Sequence, residues 1–189
     1  LMVEQILQDY DTAYGLKSTC LRYFNAAGAD PDGELGERHD PETHLVPLVL
    51  QAGLGKRDAI TVFGTDYDTH DGSCVRDYIH IEDLCSAHLA ALRRLQKGGK
   101  SDVFNLGNGA GFSVLEVIRV AEDVLGNRIP VQPGQRRPGD PPVLVAEANR
   151  ARTELNWQPV HTDLHEIVRT ASDWENRVSA QDNMLRKRA

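Results

Sequence analysis

Short strand-like runs alternate with segments of helical spacing along this whole chain, and that alternation leaves few architectures open. Val3, Ile6, Leu7, Tyr10 and Tyr14 recur at helical spacing, so a helix is already running near Leu1. No capping residue precedes it, and a truncated chain is the expectation. Ser18 to Phe24 reads as a buried strand. A Gly/Asp/Pro-rich loop from Ala26 to Glu42 follows, long enough to suggest function. Pro47 sits in the first turn of a helix from Val46 to about Gly53, where its missing N–H costs nothing. Strands are expected at Ala59 to Phe63, Cys74 to Ile81 and Ser101 to Leu106. A helix from Glu82 to Leu95 carries Leu84, His88, Leu92 and Leu95 on one side.

Ser113-Val114-Leu115-Glu116 has the form of a capping box, and Gly126 ends the helix behind it, which carries Leu115, Ile118, Val124 and Leu125. Pro130 to Pro142 reads as extended loop. Two helices close the chain, about Asn149 to Asn156 and Asp163 to Asn176, the second capped by Thr162. A polar tail from about Ser179 is expected to fray. The pattern is α/β. The confident strands are too few for a self-sufficient doubly wound sheet. Those at Cys20 to Phe24 and Val103 to Leu106 read as pieces of a larger sheet whose other strands lie upstream.

Charge narrows the partners. The net charge of -7 disfavours a nucleic-acid ligand. It leaves room for an anionic small molecule, because a few arginines act at contact range while charges beyond about 8 Å are screened. No apolar run approaches the roughly 20 residues of a membrane span. The opening residues lack the basic and apolar regions of a signal peptide. Cys20, Cys74 and Cys85 are odd in number and scattered, which argues against disulfides or a cysteine zinc site and suits a reducing cytoplasm.

Several residues carry chemistry. Arg76, Tyr78 and His80 share one face of a strand whose other face is Val75, Asp77, Ile79 and Ile81. Spacing alone favours a solvated sheet face, yet a guanidinium is suited to a diphosphate. Arg136-Arg137-Pro138-Gly139-Asp140 could grip a nucleotide or form a self-neutralising turn. Tyr23, Phe24 and Asn25 end a strand where α/β ligands sit, although an aromatic core pair explains them locally. Phe63 before Gly64 either stacks a base or fills the core. The Leu106 to Gly111 turn has the wrong glycine order for a dinucleotide loop. His39 and His44 flank Asp40 and Glu42 in a loop without helical spacing, with Pro41 between them, so no metal is expected. His161 and His165 straddle a helix start and read as surface residues.

Taken in order, Leu21-Arg22-Tyr23-Phe24-Asn25 through Ala29, Phe63-Gly64-x-Asp66-Tyr67, Asp71-Gly72-x-x-Val75-Arg76-Asp77-Tyr78-Ile79-His80, Asn105-Leu106-Gly107, Arg137-x-Gly139-Asp140 and Glu154-Leu155-Asn156-Trp157 form a specific set. The set resembles the UDP-glucose 4-epimerases, extended short-chain dehydrogenase/reductases of the NAD-dependent epimerase/dehydratase family. The resemblance implies a Rossmann-type architecture, NAD as cofactor, a UDP-hexose substrate and a homodimeric parent paired through the helix at Leu1. It implies that residues 1–177 are the C-terminal UDP-sugar-binding portion, with partial Rossmann elements near 1–25 and 82–107, and that 178–189 are a tail.

By the same resemblance, Tyr23 lies by the nicotinamide. Asn25, Arg76 and Arg137 hold the diphosphate; Thr61 and Phe63 embrace uracil; Asp140 takes the ribose. His44 and Leu45 line the same pocket. Leu144 matches a Tyr in some relatives and leaves room for an N-acetylated sugar. The family's Tyr-x-x-x-Lys pair and Gly-rich NAD loop do not occur in these 189 residues. No turnover by the chain alone is therefore expected. The alternatives are a related sugar-nucleotide dehydratase or decarboxylase, and a non-catalytic UDP-sugar-binding module.

Overall fold

Helix α1 (Met2–Tyr14) leads into strand β1 (Thr19–Tyr23), and the turn between them is drawn in by an ion pair of Lys17 with Asp11. The computed structural model describes residues 1–186, with side chains placed through Gln181. β1 runs parallel to β6 (Asp102–Leu106), Thr19 opposite Asp102 and Tyr23 opposite Leu106. β2 (Asn25–Ala27) runs parallel to β5 (Tyr78–His80). β3 (Ile60–Phe63) runs parallel to β8 (Val131–Gly134). β4 (Val75–Arg76) lies between antiparallel β7 (Phe112–Ser113) and parallel β9 (Val143–Leu144). Predominantly parallel pairing with flanking helices is the expected α/β architecture.

The apolar interior has two parts. Val49 and Leu50 of α2 (Leu45–Gly53), Val117 and Ile118 of α4 (Val114–Leu125), and Ile167 and Val168 of α6 (Leu164–Arg186) pack with Ile60 and Val62. Leu84 and Ala87 of α3 (Ile81–Gln96) pack with Ile79, Phe104, Leu106 and Trp157. The Trp157 indole N–H donates to Asp83 O at 3.0 Å, and α5 (Asn149–Glu154) feeds it into place. No residue of α1 is fully buried, and Val3, Ile6, Tyr10 and Tyr14 are exposed. The capping box is present: Ser113 Oγ accepts from Glu116 N, and the Glu116 carboxylate accepts from Ser113 N at 2.7 Å.

The structure corrects five expectations. The strand expected from Cys74 to Ile81 breaks at Asp77, and its two halves join different sheets. Tyr78 and His80 are buried rather than solvated, because α6 packs on that face, with Thr170 meeting His80 and Ile167 and Val168 in one cluster with Tyr78. α3 buries Leu84, Ala87 and Ala91, leaving His88 and Leu92 exposed; alanines allow the helix to approach the strands closely. Val131–Gly134 is an edge strand, where Pro133 is tolerated because only one side must pair. The cap of α6 is Asp163, whose Oδ1 accepts from His165 N at 3.1 Å, not Thr162, and the helix continues to Arg186 instead of ending near Asn176. No Gly or Pro interrupts it there, and Val178 is buried.

Candidate functional site

Asp77 positions the site. Its side chain sits on the apolar strand face with Val75 and Ile79, fully buried. Oδ1 accepts from Asn108 N at 2.8 Å, and Oδ2 from Gly109 N at 3.0 Å and Ala146 N at 3.1 Å. Burial pushes this carboxyl up while the three amides pull it down, and burial dominates. A Cβ on Gly107 would meet Asp77 Oδ2 at 2.5 Å, so only glycine lets the turn close over the carboxylate. The Leu106 to Gly111 turn is thus a wrapping for Asp77. Two of its amides are occupied there, so it is not a phosphate cradle.

The same residue sets the strand ends. Asp77 O accepts from Asn25 N at 3.1 Å and from Asn25 Nδ2 at 2.9 Å. This ties the start of β2 to the break between β4 and β5. Asn25 and Arg76 then line one cleft of ≈ 570 Å³ together with Tyr23 and Leu144.

Arg76 is held tightly. Its Nη1 donates to Val75 O at 2.8 Å and Pro141 O at 2.9 Å, and Nη2 lies 3.3 Å from Asp140 Oδ1. Arg137 Nε lies 3.4 Å from the other oxygen of Asp140, and its guanidinium stands 4.7 Å over the Phe63 ring. The run Arg76, Asp140, Arg137, Phe63 is therefore continuous. The neighbouring Arg136 is turned elsewhere: its Nε pairs with Asp66 at 2.7 Å, and it covers the Tyr67 ring at 4.2 Å. The loop is not a uniform grip: Arg136 is engaged with Asp66 and Tyr67, whereas Arg137 pairs with Asp140 within the turn, as the self-neutralising alternative has it, and remains 65% exposed.

Thr61 and Phe63 share the outer face of β3, while Ile60 and Val62 enter the core. Gly134 stands opposite Phe63, and a Cβ there would come within 2.7 Å of Thr61 and 3.1 Å of the ring. Thr61 Oγ1 accepts from Gln132 Nε2 at 2.9 Å. Gln132 was not singled out from the sequence; its pairing depends on the unexpected strand β8.

Tyr23, Phe24 and Asn25 also line a second cleft of ≈ 950 Å³, which Glu37, His39 and His44 line as well. The aromatic pair is thus a ridge between two clefts rather than core. Leu45, the first residue of α2, is partly buried and packs against the apolar core. The structure also brings together what the loop spacing kept apart: the ligand atoms of Glu37, His39, Glu42 and His44 lie within 4.8 Å of one another. His161 is another correction. It is half-buried between Glu82 and Glu166 at 3.0 Å each and stacks on His80 at 4.6 Å.

Residues 1–107 match the model of the NAD dependent epimerase/dehydratase family. The chain belongs to this family. Similarity extends beyond the matched residues. The UDP-glucose 4-epimerase of Halalkalibacterium halodurans is 52% identical over 174 residues, 92% of this chain and 52% of that protein. The structure of UDP-glucose 4-epimerase from Brucella ovis in complex with NAD superposes with a TM-score of 0.88 at 47% identity, over 91% of this chain and 53% of that one. The UDP-Glc/GlcNAc 4-epimerase from Campylobacter jejuni superposes with a TM-score of 0.78 at 46% identity, over 93% of this chain and 54% of that one. This epimerase-family chain spans about half the length of the relatives it matches. Its fold is that of a partial Rossmann-type epimerase. No helix among the described residues is long and apolar enough to cross a membrane.

Proposed function

We propose that this chain is the UDP-sugar clamp of a UDP-glucose 4-epimerase, and that the protein to which it belongs interconverts UDP-glucose and UDP-galactose. The observation that carries this reading is the bridging of Arg76 and Arg137 by Asp140, with Arg137 over Phe63. Two guanidiniums on one carboxylate are a preformed anion site. A diphosphate reaching Arg137 would exchange one weak exposed pairing for charge-assisted bonds, and the ring beneath would face the base. Asn25 stands at the same cleft and would add a side-chain amide; Asp140, relieved of Arg137, would accept from ribose hydroxyls. Thr61, with Gln132 beside it, would present hydrogen-bonding groups to uracil. His44 would meet the sugar from the second cleft.

The residues present fit one edge of NAD alone. Tyr23, at the carboxyl end of β1 and half exposed, offers a face to a nicotinamide, while the Gly-rich turn after β6 is engaged with Asp77. Bound NAD would supply the hydride acceptor for oxidation at C4. This chain contains neither the Tyr-x-x-x-Lys pair nor the NAD loop. It is therefore inactive by itself in this reading. The exposed stripe of Val3, Ile6 and Tyr10 on α1 suits a subunit contact in a homodimeric parent, and three free cysteines suit the cytoplasm. Calorimetric titration with UDP is the test. Saturable binding by the chain, without epimerisation when NAD is added, supports the reading; turnover, or no UDP binding, refutes it.

A further inference from the structure

Between Gly36 and the start of α2 the chain folds back so that four potential ligands face each other. His44 Nδ1 lies 2.7 Å from Glu37 Oε1, 2.9 Å from Glu42 Oε1 and 3.3 Å from His39 Nδ1. His39 Nδ1 lies 2.9 Å from Glu37 Oε1. An imidazole Nδ1 has one in-plane position, holding either one proton or one lone pair. One proton on His44 cannot serve both carboxylates. If both rings carry it, two N–H groups oppose each other across the 3.3 Å gap. The ligand atoms of all four side chains lie within 4.8 Å of one another, and a cation among them would satisfy both imidazoles and both carboxylates together.

We propose that Glu37, His39, Glu42 and His44 form a divalent-cation site of the zinc class. Two imidazole nitrogens and two carboxylate oxygens are a donor set for zinc; calcium and magnesium seek six or more oxygens. A tetrahedron with bonds of ~2.0–2.1 Å has edges of about 3.3 Å; the four separations above are 2.7–3.3 Å, and no two of the ligand atoms lie more than 4.8 Å apart. The ligands are also held from outside. Glu42 Oε1 accepts from Thr43 N at 2.6 Å and His44 N at 2.7 Å. Glu37 O accepts from the Trp174 indole at 2.7 Å, anchoring that end to α6. Such outer contacts orient ligands before metal arrives. The positive N-terminal end of α2 opposes a cation, but two carboxylates outweigh its partial charge. The bound ion would pin the rim of the larger cleft, to which Glu37, His39 and His44 belong.

The test uses the chain stripped by chelator and titrated with Zn²⁺, then with Co²⁺ as a spectroscopic probe. One equivalent should bind, with tetrahedral d–d bands and no sulfur charge-transfer band. X-ray absorption of the zinc form should show four N/O neighbours with imidazole scattering. His39→Gln and His44→Gln should each weaken binding by more than the ~10–100-fold that loss of an outer contact costs. His70→Gln, at an exposed histidine elsewhere, should bind as the parent chain does. No saturable binding, a sulfur or six-oxygen shell, or unchanged affinity in the His39→Gln/His44→Gln double variant would overturn the proposal.

Discussion

Arg76 Nη2 lies 3.3 Å from Asp140 Oδ1, joining residues 64 positions apart at the mouth of one cleft. Arg76 is mostly buried and also braces Pro141, whereas Arg137, on the other oxygen of the same carboxylate, is mostly exposed. The adjacent Arg136, engaged with Asp66 and the Tyr67 ring, and Arg137 should differ when removed. Arg137→Ala should weaken UDP binding about 10- to 100-fold, the worth of a charge-assisted contact of ~1.5–3 kcal/mol, and leave the melting temperature nearly unchanged. Arg136→Ala should leave the affinity near that of the parent chain. Calorimetry on both variants decides; equal losses would show that the pair acts as one unspecific basic patch.

Asp77→Asn should destabilise the fold by about 1–3 kcal/mol. An asparagine turns an N–H₂ toward at least one of the three amides that now donate to this carboxylate, leaving buried donors unpaired. Denaturant unfolding measures the change. A stability equal to that of the parent chain would mean the turn can repack around the amide.

The two stacked histidines respond oppositely to acid. Burial, aided by His161, holds His80 below its ordinary value of 6.5. His80 Nδ1 accepts from Glu82 N at 3.2 Å and caps α3, while Nε2 meets Thr170 Oγ1 at 3.1 Å. Burial also acts against a charge on His161, but Glu166, Asp83 and Glu82 overcome it and raise that group. The unfolded chain binds more protons than the folded one at His80. Its contribution is full above about pH 6.5 and is lost as pH falls through the folded value. His161 contributes fully below about pH 6.5 and loses that as pH rises through its raised value. His80→Asn keeps a cap acceptor but cannot titrate. Its melting temperature should fall less than the parent's between about pH 7 and about pH 5. Parallel pH profiles would remove His80 from the account.

Leu144 borders the cleft of Arg76 and Asn25 and is 42% exposed. In the proposed clamp its size limits what sits beside the sugar's C2. Leu144→Tyr should raise the Kd for UDP-GlcNAc by ~10-fold or more, from roughly 1–3 kcal/mol of overcrowding, with a smaller effect on UDP-glucose. Equal changes for both ligands would remove Leu144 from sugar selection.

Much of the site was legible as residue identity and little of it as geometry. Arg76, Arg137 and Phe63 are recognisable in order along the chain, and the structure brings them into one run. The role of Asp77 left a signal that went unused: an acidic residue on the apolar strand face of Val75 and Ile79 must find buried donors. Glu37 and Gln132 left none, since the partners of each are made by a loop reversal and by an edge strand containing a proline.

What the sequence by itself determined is local. The capping box at Ser113 and Glu116, the glycine end of α4 and the α/β alternation depend on hydrogen bonds and packing between residues a few positions apart, and such spacing is written directly in the order of side chains. The tertiary structure alone decided which face of α3 is buried, that the strand through Asp77 divides between sheets, that Arg136 and Arg137 part company, and that His39 and His44 meet Glu37. Those outcomes arise where distant segments compete for one volume and for one set of buried donors, and no local periodicity records the winner.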